Sequence, residues 1–271
     1  MKLFVFWEDK MDIFLILGLV AGVFTVVVGM IVKGADVTVL LNPAAMIIIF
    51  VGTFATIMNS YPKKEFINII KLFGVLFSDK GHEDPADIIK QMVQMAQETR
   101  RNGLLSLEKT AQSIDNKFMK KGLEMVVDGM EPQTISEVLT IEIESMEERH
   151  KAGAGVFTAA GGASPTLGVL GAVIGLIGAL GDLNDVERLG HMICAAFVAT
   201  LFGIFFGYVV WHPFASRLKR KSAEEVLNMN IIFEGLLGIQ AGNNPKIIER
   251  KLVGMLPPKE RAKIETANEG E

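Results

Sequence analysis

The sequence predicts an all-α integral membrane protein. It has four transmembrane helices, a helical cytosolic domain between the second and third, and a cytosolic C-terminal tail. Three observations carry that prediction. Half of the 271 residues are hydrophobic, and they gather in four blocks separated by charged segments. Three of the blocks are apolar over about the 20 residues that a helix needs to cross a bilayer, and the second is barely long enough. In the third block, Gly168, Gly171, Gly175 and Gly178 recur at steps of three and four. A stripe of that kind lets helices approach closely in lipid, where packing replaces the missing hydrophobic drive.

Taken in order, residues 1–11 form an N-terminal extension assigned to the cytosol. MKLFVFWEDK is too short and too charged for a signal-peptide core, and Met11 is a second candidate start. The first span is 12–33, with no charge in IFLILGLVAGVFTVVVGMIV, followed by an external loop, 34–43. The second span, 44–61, is short, and Asn59 to Tyr61 complete it at the interface. Residues 62–152 are polar and periodic, as expected of a cytosolic helical domain. Asp84-Pro85, with Asp87 three residues after the cap, is a helix start that places Ile88, Met92 and Met95 on one side. Gly103 interrupts the pattern, and Ser106 with Glu108 begins a new piece. Glu131-Pro132 starts another helix, with Ile135, Val138, Leu139, Ile143 and Met146 at helical spacing. That helix runs on into the third span, 153–181, where Pro165 is expected to free a carbonyl one turn earlier and kink the helix. An external loop, 182–190, leads to the fourth span, 191–212, and the tail, 213–271.

Lysine and arginine set the orientation. The 62–152 region holds 13 and the tail 10, whereas the two short links hold only Lys33 and Arg188, so the former are cytosolic. Four crossings then place both termini in the cytosol. Tyr61, Tyr208 and Trp211 fall at the same interface, where amphipathic aromatics prefer to sit. The basic cluster Arg217, Lys219, Arg220 and Lys221 is placed to meet anionic membrane lipid.

The chemistry is sparse. A net charge of −4 gives no electrostatic reason to expect nucleic acid, and the lone Cys194 can form no internal disulfide. No nucleotide, zinc or nucleophile motif is present, so no enzymatic function, cofactor or metal is expected. His191 and Cys194 are two ligands without a third, and His82-Glu83-Asp84 reads as a solvated turn before a helix. No span carries an Asp, Glu, Lys or Arg near its midpoint, although ion carriers usually do. Only hydroxyls remain at depth: Thr53, Thr56, Ser164, Thr166 and Thr200, each able to bond a carbonyl of its own helix. Two readings fit. Either the protein moves no ions, or the titrating group comes from another polypeptide lodged against the glycine-striped third helix.

Five segments, in order and in register, carry a resemblance: MDIFLILGLVAGVF (11–24), RRNGLLSLE (100–108), ASPTLGVLGAVIGLIGAL (163–180), ATLFGIFFGYVVWHPF (199–214) and NPKIIERKLVGMLPP (244–258). Over nearly the whole chain the sequence resembles the MotA/PomA family, the A subunits of the bacterial flagellar stator in the inner membrane. The resemblance implies a ring of A subunits, a pentamer, around B-subunit helices that each supply one essential aspartate. It implies that Pro165 couples protonation to movement, that Pro213 matches the proline at the cytosolic end of the fourth span, and that Thr200 lines the ion path. Thr166 adjoins Pro165. Ala172 stands where sodium-driven members have threonine, which implies proton as the permeating cation. Arg100 and Glu108, with Arg101 where some members have lysine, match the charged contact with the rotor protein FliG. Rival readings are a TolQ/ExbB-type energy transducer, which has three spans, and a membrane scaffold that conducts nothing.

Overall fold

The computed structural model describes residues 12–78, 83–181 and 183–268, nearly all of them helical. The chain divides into two compact units, one formed by 1–80 and 150–220, the other by 81–149 and 221–271.

The first unit contains α1 (Ile13–Val32), α2 (Pro43–Ser60), α3 (Lys63–Phe77), the last part of α7 (Pro132–Leu180), α8 (Val186–Phe205) and a π-helical turn, Phe206–Trp211. Among the described residues, four stretches are long and apolar enough to cross a membrane: α1, Val37–Ser60, α7, and the stretch that begins with α8. Asp12 caps α1, accepting the Leu15 N–H at 3.2 Å, and Asn42 caps α2 by accepting the Ala45 N–H at 3.1 Å. Between them, the exposed Asp36 accepts first the Thr38 hydroxyl and then its N–H, which hold its carboxyl below the ordinary value. In α2, Ala45, Ile49, Thr53 and Ile57 recur every four residues and are buried, while Ile47, Val51, Phe54 and Met58 face outward. Outward apolar side chains suit a segment whose solvent is lipid.

At one end of the spans, rings of Phe73, Phe77, Phe157, Trp211 and Phe214 meet edge-on or tilted, with centroids 5.3–6.5 Å apart. α3 belongs to this cluster through Phe73 and Phe77. Beside it, the carboxylate of the buried Asp12 pairs with Arg217. Arg217 is thus engaged within the protein, and of the basic cluster Lys219 and Arg220 are the exposed members in this unit.

The second unit contains α4 (Pro85–Asn102), α5 (Glu108–Ser113), α6 (Lys117–Val127), the first part of α7, most of α9 (His212–Gln240), α10 (Pro245–Val253) and α11 (Pro258–Asn268). The Asp84 carboxylate accepts the Ala86 N–H at 2.9 Å, and Pro85 occupies the first turn of α4 where no N–H is needed. Its stripe, Ile88, Met92 and Met95, is buried against Leu107, Met119, Leu123, Ile135, Leu139, Ile232 and Leu236. Ion pairs Lys121–Glu142, at 2.7 Å, and Lys251–Glu234 lie on its surface. His82, one of three residues considered as a metal cluster, lies outside the described residues.

Leu139 is fully buried at the centre of this core. Leu139→Ala should lower stability by about 3 kcal/mol, read as a drop in the melting temperature of the purified protein.

Candidate functional site

The site in the first unit is built on the contact between α7 and α8. Pro165 lacks an N–H, so the Gly161 carbonyl one turn earlier loses its helical donor. Both groups face Gly207, in the π-helical turn: a Cβ there would lie 2.8 Å from Pro165 Cγ and 2.9 Å from the Gly161 oxygen. One turn back, a Cβ on Gly203 would lie 2.6 Å from the Ser164 oxygen and 2.8 Å from Gly168 Cα. Hydrogens are all that fit at either position. The widened π turn therefore sits against the proline, a placement of the kind such turns take at functional positions.

The glycine stripe continues this seam. A Cβ on Gly168 would meet the Ala199 oxygen at 3.0 Å, one on Gly171 would meet Ala199 Cβ at 2.8 Å, and one on Gly175 would meet Ala196 Cβ at 2.9 Å. Met192 lies 3.5 Å from the corresponding point on Gly178. The stripe is thus occupied by the chain's own fourth span. Small residues record that a backbone comes close, not whose backbone it is.

Three of the hydroxyls take part in bonds across helices. Thr53 Oγ1 lies 3.1 Å from Ser164 Oγ, and Ser164 donates to the Ala160 oxygen at 2.9 Å, so Thr53 donates to Ser164. Both residues are buried. Thr200 Oγ1 lies 3.3 Å from the Ala196 oxygen of its own helix and 3.4 Å from the Gly168 oxygen of α7. It reaches Gly168, three residues beyond Pro165, because no side chain stands between. Thr56 and Thr166 bond only carbonyls of their own helices, at 2.9 and 2.7 Å. Thr166 and Pro213 are exposed, and Pro165 and Ala172 are half-buried. Among the described residues no three His, Cys, Asp or Glu side chains gather as a metal site.

In the second unit, Arg100 and Arg101 occupy the last turn of α4, and Glu108 opens α5; all three are exposed. Gly103, with φ of 81°, turns the chain between them, and a 3-10 turn, Leu104–Leu107, follows with Leu107 buried. The charges therefore flank a turn and do not share one helical face. Glu108 borders a shallow cleft with Leu105, Glu124 and Asp128.

Sequence reasoning passed over Gly203 and Gly207. Their spacing of four in FGIFFGY is the complement of the stripe on α7 and was the available signal. The Asp12–Arg217 pair leaves no local signal at all.

Four membrane-length helices among the described residues, two of them packed backbone to backbone around a proline, define a multi-pass helical membrane protein. The chain belongs to the MotA/TolQ/ExbB proton channel family, matched over residues 110–231, and residues 16–103 match the motility protein A N-terminal region. It is 46% identical to motility protein A of Bacillus subtilis over 261 residues, 96% of each chain. It is 32% identical to the chemotaxis protein PomA of Vibrio alginolyticus over 252 residues, 93% of this chain and 98% of that one. The fold matches a chain of the flagellar MotAB stator complex from Bacillus subtilis with a TM-score of 0.86 and 47% identity, covering 92% of this chain and 98% of the other.

Gly203→Ala should force α7 and α8 apart, costing about 1–3 kcal/mol and lowering the melting temperature. Gly162→Ala, where a Cβ meets nothing within 4 Å, should leave it unchanged or slightly raised.

Proposed function

We propose that this chain is the torque-generating A subunit of a flagellar motor stator in the bacterial inner membrane. It couples proton flow, along a path shared with a B subunit, to rotation of the rotor. The observation that carries this reading is the near full-length match to a chain of a solved stator complex. Relatives named motility protein A and PomA point the same way, and a match in the N-terminal region argues against the TolQ/ExbB alternative.

The spans lack an ionisable residue at depth, so the cation needs a carboxylate from outside the chain. A B subunit with one membrane helix and an essential aspartate supplies it, and five A subunits in a ring surround the B helices. Pro165 and Gly207 form the packed joint that a change in that aspartate's charge would disturb. Thr200 and Thr166 offer hydroxyls beside it, Ala172 offers none, and Pro213 marks the cytosolic end. One elementary charge moving through 100 mV releases about 2.3 kcal/mol, enough to shift a packing equilibrium while leaving the fold intact. No cofactor enters this scheme. Both termini lie in the cytosol, where Arg100, Arg101 and Glu108 meet charges on the rotor protein FliG. Exposed charges of this kind favour register and rapid encounter over affinity, as suits a surface that grips and releases.

Complementation of a strain lacking its stator A subunit tests the reading. Swimming should return, depend on the pH gradient, and persist without external sodium; absence of swimming would overturn the stator reading, and a sodium requirement would overturn proton coupling. Arg100→Glu and Glu108→Arg should each reduce swimming speed severalfold, with recovery when the opposing rotor charge is also reversed. Wild-type swimming in both variants would remove the rotor assignment.

A further inference from the structure

We infer that α3 lies along the membrane surface and binds anionic phospholipid through a face of lysines and isoleucines. The helix begins directly after α2, with only Tyr61 and Pro62 between Ser60 and Lys63. Its far end is tied to the start of α1: the Asp12 N–H donates to the Phe77 oxygen at 3.0 Å. Two successive crossings return a chain to its starting side, so the start of the first span and the end of the second share one membrane surface. A helix of 15 residues is about 22 Å long. Held at that surface by both ends, it runs along it.

The inward side of α3, with Phe66, Ile69, Phe73 and Leu76, packs against Phe54, Phe157, Trp211 and Phe214. The opposite side carries Lys63, Lys64, Ile67, Ile70, Lys71 and Val75, all exposed. At 100° per residue these six fall within an arc of about 140°. Ile70 is 79% exposed and Ile67 54%. Glu65, the one acidic residue of the helix, lies outside the arc. Water suits the lysines but not the isoleucines, and hydrocarbon the reverse; the headgroup boundary accommodates both. Three cations without an anion favour a negatively charged leaflet over a zwitterionic one. Behind the helix, a cavity of about 350 Å³, lined by Phe50, Phe54, Ile57, Ile69, Phe157 and Trp211, can take an acyl chain. The inference rests on the four-span reading, and on the proposed topology only for which leaflet is bound; it does not depend on torque.

Trp211, in the cavity wall, is the reporter. With Trp7→Phe it becomes the sole tryptophan of the full-length protein, which is reconstituted in vesicles of phosphatidylcholine and phosphatidylglycerol. Either lipid is brominated on its acyl chains in turn. Brominated phosphatidylglycerol should quench Trp211 at a severalfold lower mole fraction than brominated phosphatidylcholine. Each lysine near an anionic surface contributes about fivefold, so K63Q/K64Q/K71Q should erase the preference, Lys71→Gln alone should reduce it, and K219Q/R220Q should leave it. Equal quenching by both lipids in the wild type, or a preference kept by the triple variant, would overturn the inference. So would no quenching by either lipid, which would mean that a second copy or another protein covers the face. Loss of swimming in a complemented strain would bear on the stator reading alone.

Discussion

The close approach of two backbones, α7 against α8, is the constraint on which the first unit depends. In hydrocarbon, apolar side chains gain little by turning toward one another, so helices associate through contact area and polar bridges. Gly168 and Gly203 bring Cα atoms to within van der Waals range, and the other contacts follow from that. Thr200 reaches a carbonyl on α7 only because glycine stands opposite. Ser164 meets Thr53 from α2 while its own backbone oxygen abuts Gly203. The proline, which would be a defect in an isolated helix, presents its ring and its orphaned carbonyl to Gly207, where the π turn and the missing side chain leave room.

Much of this was legible in the sequence. Spans follow from hydropathy, because lipid imposes one solution on the backbone. Caps at Asp84 and the break at Gly103 follow from local chemistry, and the buried stripe of α4 from periodicity. The identity of the neighbour at the glycine stripe was not legible, because a run of small residues is equally compatible with any close helix. The pairing of Asp12 with Arg217 joins opposite ends of the sequence, and two flanking charges carry no mark of their partner. The packing of α3 was not legible for a different reason: KKEFINIIK is charged enough to read simply as the start of a cytosolic domain. Its aromatic face, set by Phe66 and Phe73, became decisive only once Phe157 and Trp211 were seen opposite.

The same contrast separates the two units. In the second, Leu, Ile and Met side chains fill a core shielded from water, and the hydrophobic effect sets its stability. Polar ties such as Gln240 to the Met130 oxygen, at 2.6 Å, fasten its turns. In the first, a cavity-making substitution matters less than a space-filling one at glycine. A leucine lost from the Leu139 environment leaves a void, whereas a methyl added at Gly203 has nowhere to go.

The occupied stripe also limits where a partner helix can act. On a helix of 100° per residue, Gly168, Gly171, Gly175 and Gly178 cluster on one side of α7, while Pro165 and Ala172, seven residues apart, share a neighbouring side. That second side includes Val169 and Leu176, which are 57% and 45% exposed. A helix in contact with both Pro165 and Ala172 would therefore lie along this flank, beside the α7–α8 seam and not within it. The Pro165 ring, packed against Gly207, joins that flank to the π turn at a point apart from the glycine contacts that hold the two spans together.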